Sequence, residues 1–387
     1  MSAWTEKPSM PRTEVPITPE VLRWALDESG YSDDQIAEAL GVGTDDLEMW
    51  TTGQAKPGLT QFKKLAAKLH RQRAVFLLPE PPQTPSVQVH FRSISGESTR
   101  PLSPKERQYL RRAHRQQEML GWLSEELGDL PQLPRFTVSD NAESAGSGVR
   151  SLLKVEIDDQ LRWPSAAQAF DHWRSAVERL GANVFLYALG KDSCNGFSLW
   201  HPLAPLIAVS SAWREEARIF TLFHELGHLV TRSDSACIER RVNARPKDPV
   251  ERWCELFAAS VLLPRAAVER FLGSDAMRTR VTDLGIASGL ATRARISLRA
   301  ATIRLIELGL ADWDLYDQIP PLADKKPEGG GGTGRNRLAI REDEFGARGT
   351  RLFVEGVKQE VISRSQAVSY LDIPDEAFDH LAAVSSE

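Results

Sequence analysis

Apolar residues recur at helical spacing along two stretches in the middle of this chain. Over 213–230, Ile219, Leu222, Phe223, Leu226 and Leu229 fall on one side of a predicted helix, the side that spacing marks for burial. Over 249–264, Val250, Trp253, Cys254, Phe257, Ala258 and Val261 make a second stripe, opened after Pro249 and closed at Pro264. Just before the first helix, Leu206-Ile207-Ala208-Val209 is a continuous apolar run of strand length. It suits an edge strand that pairs with an extended peptide, or an ordinary core strand.

The flanks are helical in pattern too. Residues 18–78 are helix-rich, and the run from Ser32 to Trp50 reads as helix, Gly-containing turn, helix, with Ser32 and Thr44 as N-caps. Residues 104–127 predict a long charged helix carrying Arg107, Arg111, Arg112 and Arg115, read as solvated, with a nucleic-acid surface as the other reading. Two helices follow in 281–310, with Ser297 at the start of the second, and two more at 351–360 and 363–371. The seams are a proline-rich stretch at 79–85 and a glycine-rich one at 327–334, the latter read as a flexible linker. They divide the chain into 1–80, a connector with a charged helix at 81–130, a core with helical extension at 131–320, a linker at 321–335 and a small module at 336–387.

Composition adds bounds. The 387 residues, 41% hydrophobic and 26% charged, are ordinary globular material with length for two or three domains. Cys194, Cys237 and Cys254 have no paired spacing, which argues for a reducing compartment rather than a disulfide framework. The first residues hold no apolar signal region and the chain no apolar run of 18 residues, so the expected address is cytoplasmic, without membrane partners. A net charge of -5 gives no global pull toward nucleic acid.

The chemistry lies on the first patterned helix. His224-Glu225-Leu226-Gly227-His228 puts two imidazoles four residues apart on one helical face, with a carboxylate beside them. That arrangement suits a divalent metal held by His224 and His228, with Glu225 handling a proton. A tetrahedral catalytic zinc needs a third protein ligand and keeps its fourth position for water. None of the remaining histidines stands at helical spacing to another, so a carboxylate on the second helix is the better source. Glu251 lies next to the apolar stripe and can point along the buried face; Glu255, one turn on, competes for the role or is a solvated charge. Cys254 is chemically able to ligate, although a lone cysteine in an apolar stripe usually packs.

These residues carry a resemblance. Phe197-Ser198-Leu199, the 205–210 run, the 217–228 run, and Glu251-x-x-Cys254-x-x-Phe257-Ala258-Ala259 ending in Leu262-Leu263-Pro264 together resemble the ImmA/IrrE family of metallo-endopeptidases, at motif level over 183–264. The resemblance implies zinc, or manganese, on His224, His228 and Glu251, with Glu225 as general base. It implies a specific regulatory protein, repressor or antitoxin-like, as substrate. One position departs from the pattern: the family usually has Asn where this chain has Glu255. The 281–310 helices are similar to the extension that follows the peptidase core in that family.

The N-terminal region, with Trp50-Thr51-Thr52-Gly53-Gln54-Ala55-Lys56-Pro57 and Phe62-Lys63-Lys64-Leu65, resembles the Cro/repressor-type helix-turn-helix domain. DNA contact there would fall to Thr44, Gln54, Lys56 and Lys63. Asp45, Asp46 and Glu48 on the second helix of the motif oppose it, because phosphates repel carboxylates, so a protein-contact or sensing role stands beside DNA binding. The fold class expected is α+β: an all-α helix-turn-helix domain, a central zincin-like metallopeptidase domain with a small mixed sheet, and a small C-terminal helical module. The expected function is an intracellular zinc endopeptidase coupled to transcriptional or stress regulation. The alternative is a DNA-binding regulator or a component of a toxin-antitoxin pair, in which the core holds a toxin-like partner.

Overall fold

The structure is a computed structural model that describes residues 13–82, 91–92, 102–190, 193–233, 235–237, 248–273, 279–320 and 337–384. The opening residues, 83–85 of the proline-rich stretch and the glycine-rich linker lie outside them. The described residues fall into two compact units, 13–82 with 102–111, and 91–92 with 112–384.

The first unit is helical: α1 (Pro19–Ser29), α2 (Asp33–Leu40), α3 (Thr44–Thr51), α4 (Leu59–Lys68), a 3-10 turn at Arg73–Leu77, and the first residues of α5 (Pro104–Glu126). Leu22, Ile36, Leu47, Trp50, Phe62, Leu65 and Phe76 form its core. Ser32 caps α2 as expected, in a reciprocal capping box with Gln35. Thr44 does not cap α3. Gly43 is the N-cap, its own N–H donating to the Asp46 carboxylate at 3.0 Å, and Thr44 becomes the first helical residue.

The second unit is mixed α+β and mostly helical. Its sheet has five strands: β1 (Phe91–Arg92), β2 (Asn183–Tyr187), β3 (Gly196–Leu199), β4 (Leu206–Ser210) and β5 (Ser235–Cys237), in the order β1-β5-β3-β4-β2. β4 pairs parallel with β2 and antiparallel with β3. This corrects the edge-strand expectation for Leu206-Ile207-Ala208-Val209. Both sides of β4 are hydrogen-bonded and every residue is buried, the state a continuous apolar run favours, so no peptide can add to it.

Around the sheet run the end of α5, then α6 (Ala142–Leu153), α7 (Ile157–Arg162), α8 (Ala166–Arg179), α9 (Glu215–Val230), α10 (Pro249–Leu262), α11 (Arg265–Leu272), α12 (Leu284–Ala294), α13 (Leu298–Glu307), α14 (Trp313–Asp317), α15 (Arg337–Lys358), α16 (Arg364–Leu371) and α17 (Asp375–Val384). α9 packs on β3 and β4 and is flanked by α8 and α10. Ile219, Leu222, Phe223, Leu226 and Leu229 are all in the core, with Phe223 edge-on to Trp173 at 4.8 Å. Gly227 sets the spacing of α9 and α10: a Cβ there would stand 3.0 Å from the Cys254 sulfur and 3.2 Å from its Cα. Any side chain would push the two helices apart.

α5 is not the solvated helix its charge suggested. Leu110, Ala113, Leu120 and Leu123 make a buried stripe along it. Its arginines are used at home: Arg107 and Arg111 donate to the carbonyls of Asp27 and Glu28, and Arg112 pairs with Glu344 at 2.5 Å. In the C-terminal region the helix expected at 351–360 begins earlier, as α15, and breaks at Gly346 (φ 72°, ψ 170°) where it passes Glu178 and the Val184 carbonyl. α15 lies along β2, with Phe345 against Phe185 at 5.4 Å and Arg348 paired to Asp129 at 2.7 Å. The helix expected at 363–371 is α16, capped by Ser363. Among the described residues no helix is long and apolar enough to cross a membrane.

Candidate metal centre

The site is built where α9 and α10 cross. Every residue of α9 from Arg218 to Val230 is buried, so His224, Glu225 and His228 are carried into the interior by the packing that their apolar neighbours drive. On α10, the Asp248 carboxylate accepts the N–H groups of Val250 (2.8 Å) and Glu251 (3.3 Å), which fixes the first turn and the place of Glu251 in it.

These elements bring three donors together. Glu251 spans both imidazoles, Oε2 lying 3.2 Å from His224 Nε2 and Oε1 3.4 Å from His228 Nε2. The two Nε2 atoms are 3.2 Å apart. Among the described residues His224, His228 and Glu251 are the group able to hold a metal ion, their ligand atoms all within 4.8 Å of one another. His224 is 6% exposed, His228 1% and Glu251 3%, and so many polar groups are not buried without a compensating partner.

The electrostatics point the same way. Burial pushes the Glu251 carboxyl up, but hydrogen bonds and charge from His224 and His228 overcome this and hold it well below the usual carboxylate range. Burial lowers His228, yet Cys254 and Glu251 outweigh it and raise its pKa well above the ordinary imidazole value. Two imidazole nitrogens and a carboxylate oxygen are the ligand set of a catalytic zinc with one position left open, so the residues present fit such an ion.

Glu225, fully buried, accepts a hydrogen bond from the Ser198 hydroxyl of β3, Oγ to Oε2 at 2.9 Å. Glu255 is not the solvated charge its position allowed: it is 9% exposed, and it stands outside the three-ligand group. Cys254 is also outside that group. Its thiol is raised by burial and packs at Gly227. In the sequence Ser198 stands out only within the Phe197-Ser198-Leu199 resemblance, and Ser233, just past the end of α9, is not singled out there.

The comparison with known families decides what this geometry is similar to. Residues 177–305 match the peptidase M78 family model, the IrrE N-terminal-like domain. That span runs from the end of α8 to α13 and contains His224, Glu225, His228 and Glu251. It supports the resemblance to the ImmA/IrrE family and, with the buried His-His-Glu group, a metallopeptidase reading. No curated protein matches the chain.

The four residues named for DNA contact are all in the first unit and all exposed: Thr44 opens α3, Gln54 and Lys56 follow it, and Lys63 is on α4. Asp45 and Glu48 are exposed on α3 as well. Two further cations are engaged within the unit, Lys68 over the Tyr31 ring at 4.1 Å and Arg71 over the Trp24 ring at 4.2 Å.

Proposed function

We propose that this protein is a zinc-dependent endopeptidase, with manganese as the other candidate ion, that cuts one regulatory protein of the repressor or antitoxin type. The observation that carries the reading is the convergence of His224, His228 and Glu251 in a buried site with Glu225 next to them. His224, His228 and Glu251 would hold the ion. A zinc ion there would supply Lewis acidity, polarising a scissile carbonyl and bringing water within reach of deprotonation near neutral pH. Glu225 takes the proton of the attacking water and returns it to the leaving amine. The Ser198 hydroxyl donates to one carboxylate oxygen of Glu225 and so orients the group for that transfer. The test is cleavage of the protein encoded beside this gene by the purified chain loaded with zinc. Glu225→Gln should abolish cleavage and keep the metal; cleavage retained in that variant refutes the role given to Glu225.

A second reading rests on the first unit. Exposed Gln54, Lys56, Lys63 and Lys64 on a helix-turn-helix-like frame support DNA binding, and with it a regulator or an antitoxin whose core holds a toxin-like partner. The exposed carboxylates of α3 weigh against it. Operator or partner binding that survives Glu225→Gln unchanged, in a chain that cuts nothing, would favour this reading.

A further inference from the structure

The end of α9 is shaped in a way that bears on His228. Arg232 takes the left-handed conformation at φ 60°, the Ser233 N–H returns to the His228 carbonyl at 2.9 Å, and the Arg232 N–H returns to the Leu229 carbonyl at 3.1 Å. That pair of bonds is a Schellman turn. Its left-handed position is normally glycine, since a side chain there costs about 1 kcal/mol or more. Here the arginine is anchored instead: its guanidinium donates to the carbonyls of Leu229 (2.9 Å) and Leu133 (3.1 Å) and lies 3.7 Å from the centre of the Trp200 ring.

A Schellman turn folds the residue two past the cap onto the third residue from the helix end, usually as a hydrophobic contact. In this chain the two are Ser233 and His228, and the contact is polar: Ser233 Oγ is 3.1 Å from His228 Nδ1. The same hydroxyl donates to the His228 carbonyl at 3.2 Å. With its one proton directed to that carbonyl, or to the Thr231 hydroxyl 3.1 Å away, the oxygen is left to accept a hydrogen from Nδ1. A neutral imidazole protonated at Nδ1 has its lone pair on Nε2, the atom that faces Glu251 and His224.

We propose that Ser233 is a positioning residue for the metal site, holding His228 in the tautomer and ring orientation that ligation requires. This rests on the metal-centre reading above. Its physical basis is general: partners of a ligating histidine's second nitrogen fix ring and tautomer, and losing one costs about 10- to 100-fold in metal affinity. Thr231 does not take its place at the ring: its hydroxyl reaches the carbonyls of Gly227 and His228 and the Ser233 hydroxyl itself.

The experiment is zinc affinity by competition with a chromophoric chelator, on the full chain and on Ser233→Ala, Ser233→Val, Ser233→Thr and His228→Ala. Thr and Val have nearly the same shape and differ in the hydroxyl. Ser233→Ala and Ser233→Val should bind zinc at least about tenfold more weakly, Ser233→Thr should stay close to the parent, and metal-free melting temperatures should be alike. The visible spectrum of the cobalt-loaded chain should change in Ser233→Val and not in Ser233→Thr. Affinity within twofold of the parent in Ser233→Val, or equal losses in Val and Thr, overturns the role of Ser233 while leaving the metal site standing. A parent chain that binds no stoichiometric zinc, or a His228→Ala chain that binds it as well as the parent, overturns the metal site and this proposal with it.

Discussion

The α9–α10 crossing and the α3–α4 region each carry polar residues assigned a binding role, and they treat those residues in opposite ways. At the crossing, two imidazoles and the Glu251 carboxylate are buried and interlocked, and Glu225 is buried against the Ser198 hydroxyl. On the first unit, Thr44, Gln54, Lys56 and Lys63 are exposed. Burying a charge costs several kcal/mol unless something compensates it, whereas a solvated lysine costs almost nothing. The buried cluster is therefore informative about function by its existence alone. An exposed basic residue says little until a ligand is found on it.

Breaking the buried side should have the largest consequences. Glu225→Gln is expected to lower cleavage of the partner protein at least about a hundredfold, the scale of general-base catalysis, with zinc content unchanged. Glu251→Ala should lose stoichiometric zinc, read by metal analysis after dialysis, because two imidazoles alone leave the ligand set incomplete.

Packing around the site gives the next step down. Gly227→Val puts a branched side chain where a Cβ already meets Cys254 at 3.0 Å, and should destabilise the chain by about 1–3 kcal/mol in denaturant unfolding. Asp129→Asn removes the charge that Arg348 and Arg351 share, for a loss of about 2 kcal/mol at neutral pH. Burial raises the Asp129 carboxyl, but the hydrogen bonds and charge of the two arginines outweigh it and leave it lowered. A carboxyl with a depressed folded pKa contributes stability above its unfolded pKa, about 3.9, and loses it as pH falls through the lower folded value. The acid limb of the parent's stability curve should therefore be steeper than that of Asp129→Asn. Lys63→Ala sits at the small end: stability should move by no more than about 0.5 kcal/mol, and any DNA affinity should weaken alike for all sequences.

How far the sequence carried the reading follows from the range of each interaction. His224 and His228 were legible because an i, i+4 pair is local, and Glu251 was on the page as one of two carboxylates. Spacing alone left Glu251 and Glu255 open and the resemblance named Glu251; the register of α10 against α9 that brings it to the two imidazoles is set by the Gly227–Cys254 approach and the Asp248 cap. The Leu206–Val209 run was legible as a strand. Its interior place was not, because strand order depends on pairings with β2 and β3 that no local pattern encodes. On α5 the dense charge hid the Leu110, Ala113, Leu120 and Leu123 stripe, and only the structure shows Arg107, Arg111 and Arg112 meeting partners within their own units. α17 and the first half of α15 were not predicted, and Gly346 interrupts α15.

One measurement bears most directly on the central claim, that His224, His228 and Glu251 hold a divalent metal: metal content per chain, by mass spectrometry, of the parent and of His228→Ala, each loaded with zinc and dialysed. The account predicts one zinc per parent chain and a near-complete loss in His228→Ala. A parent that retains no zinc, or a variant that retains as much as the parent, would contradict it.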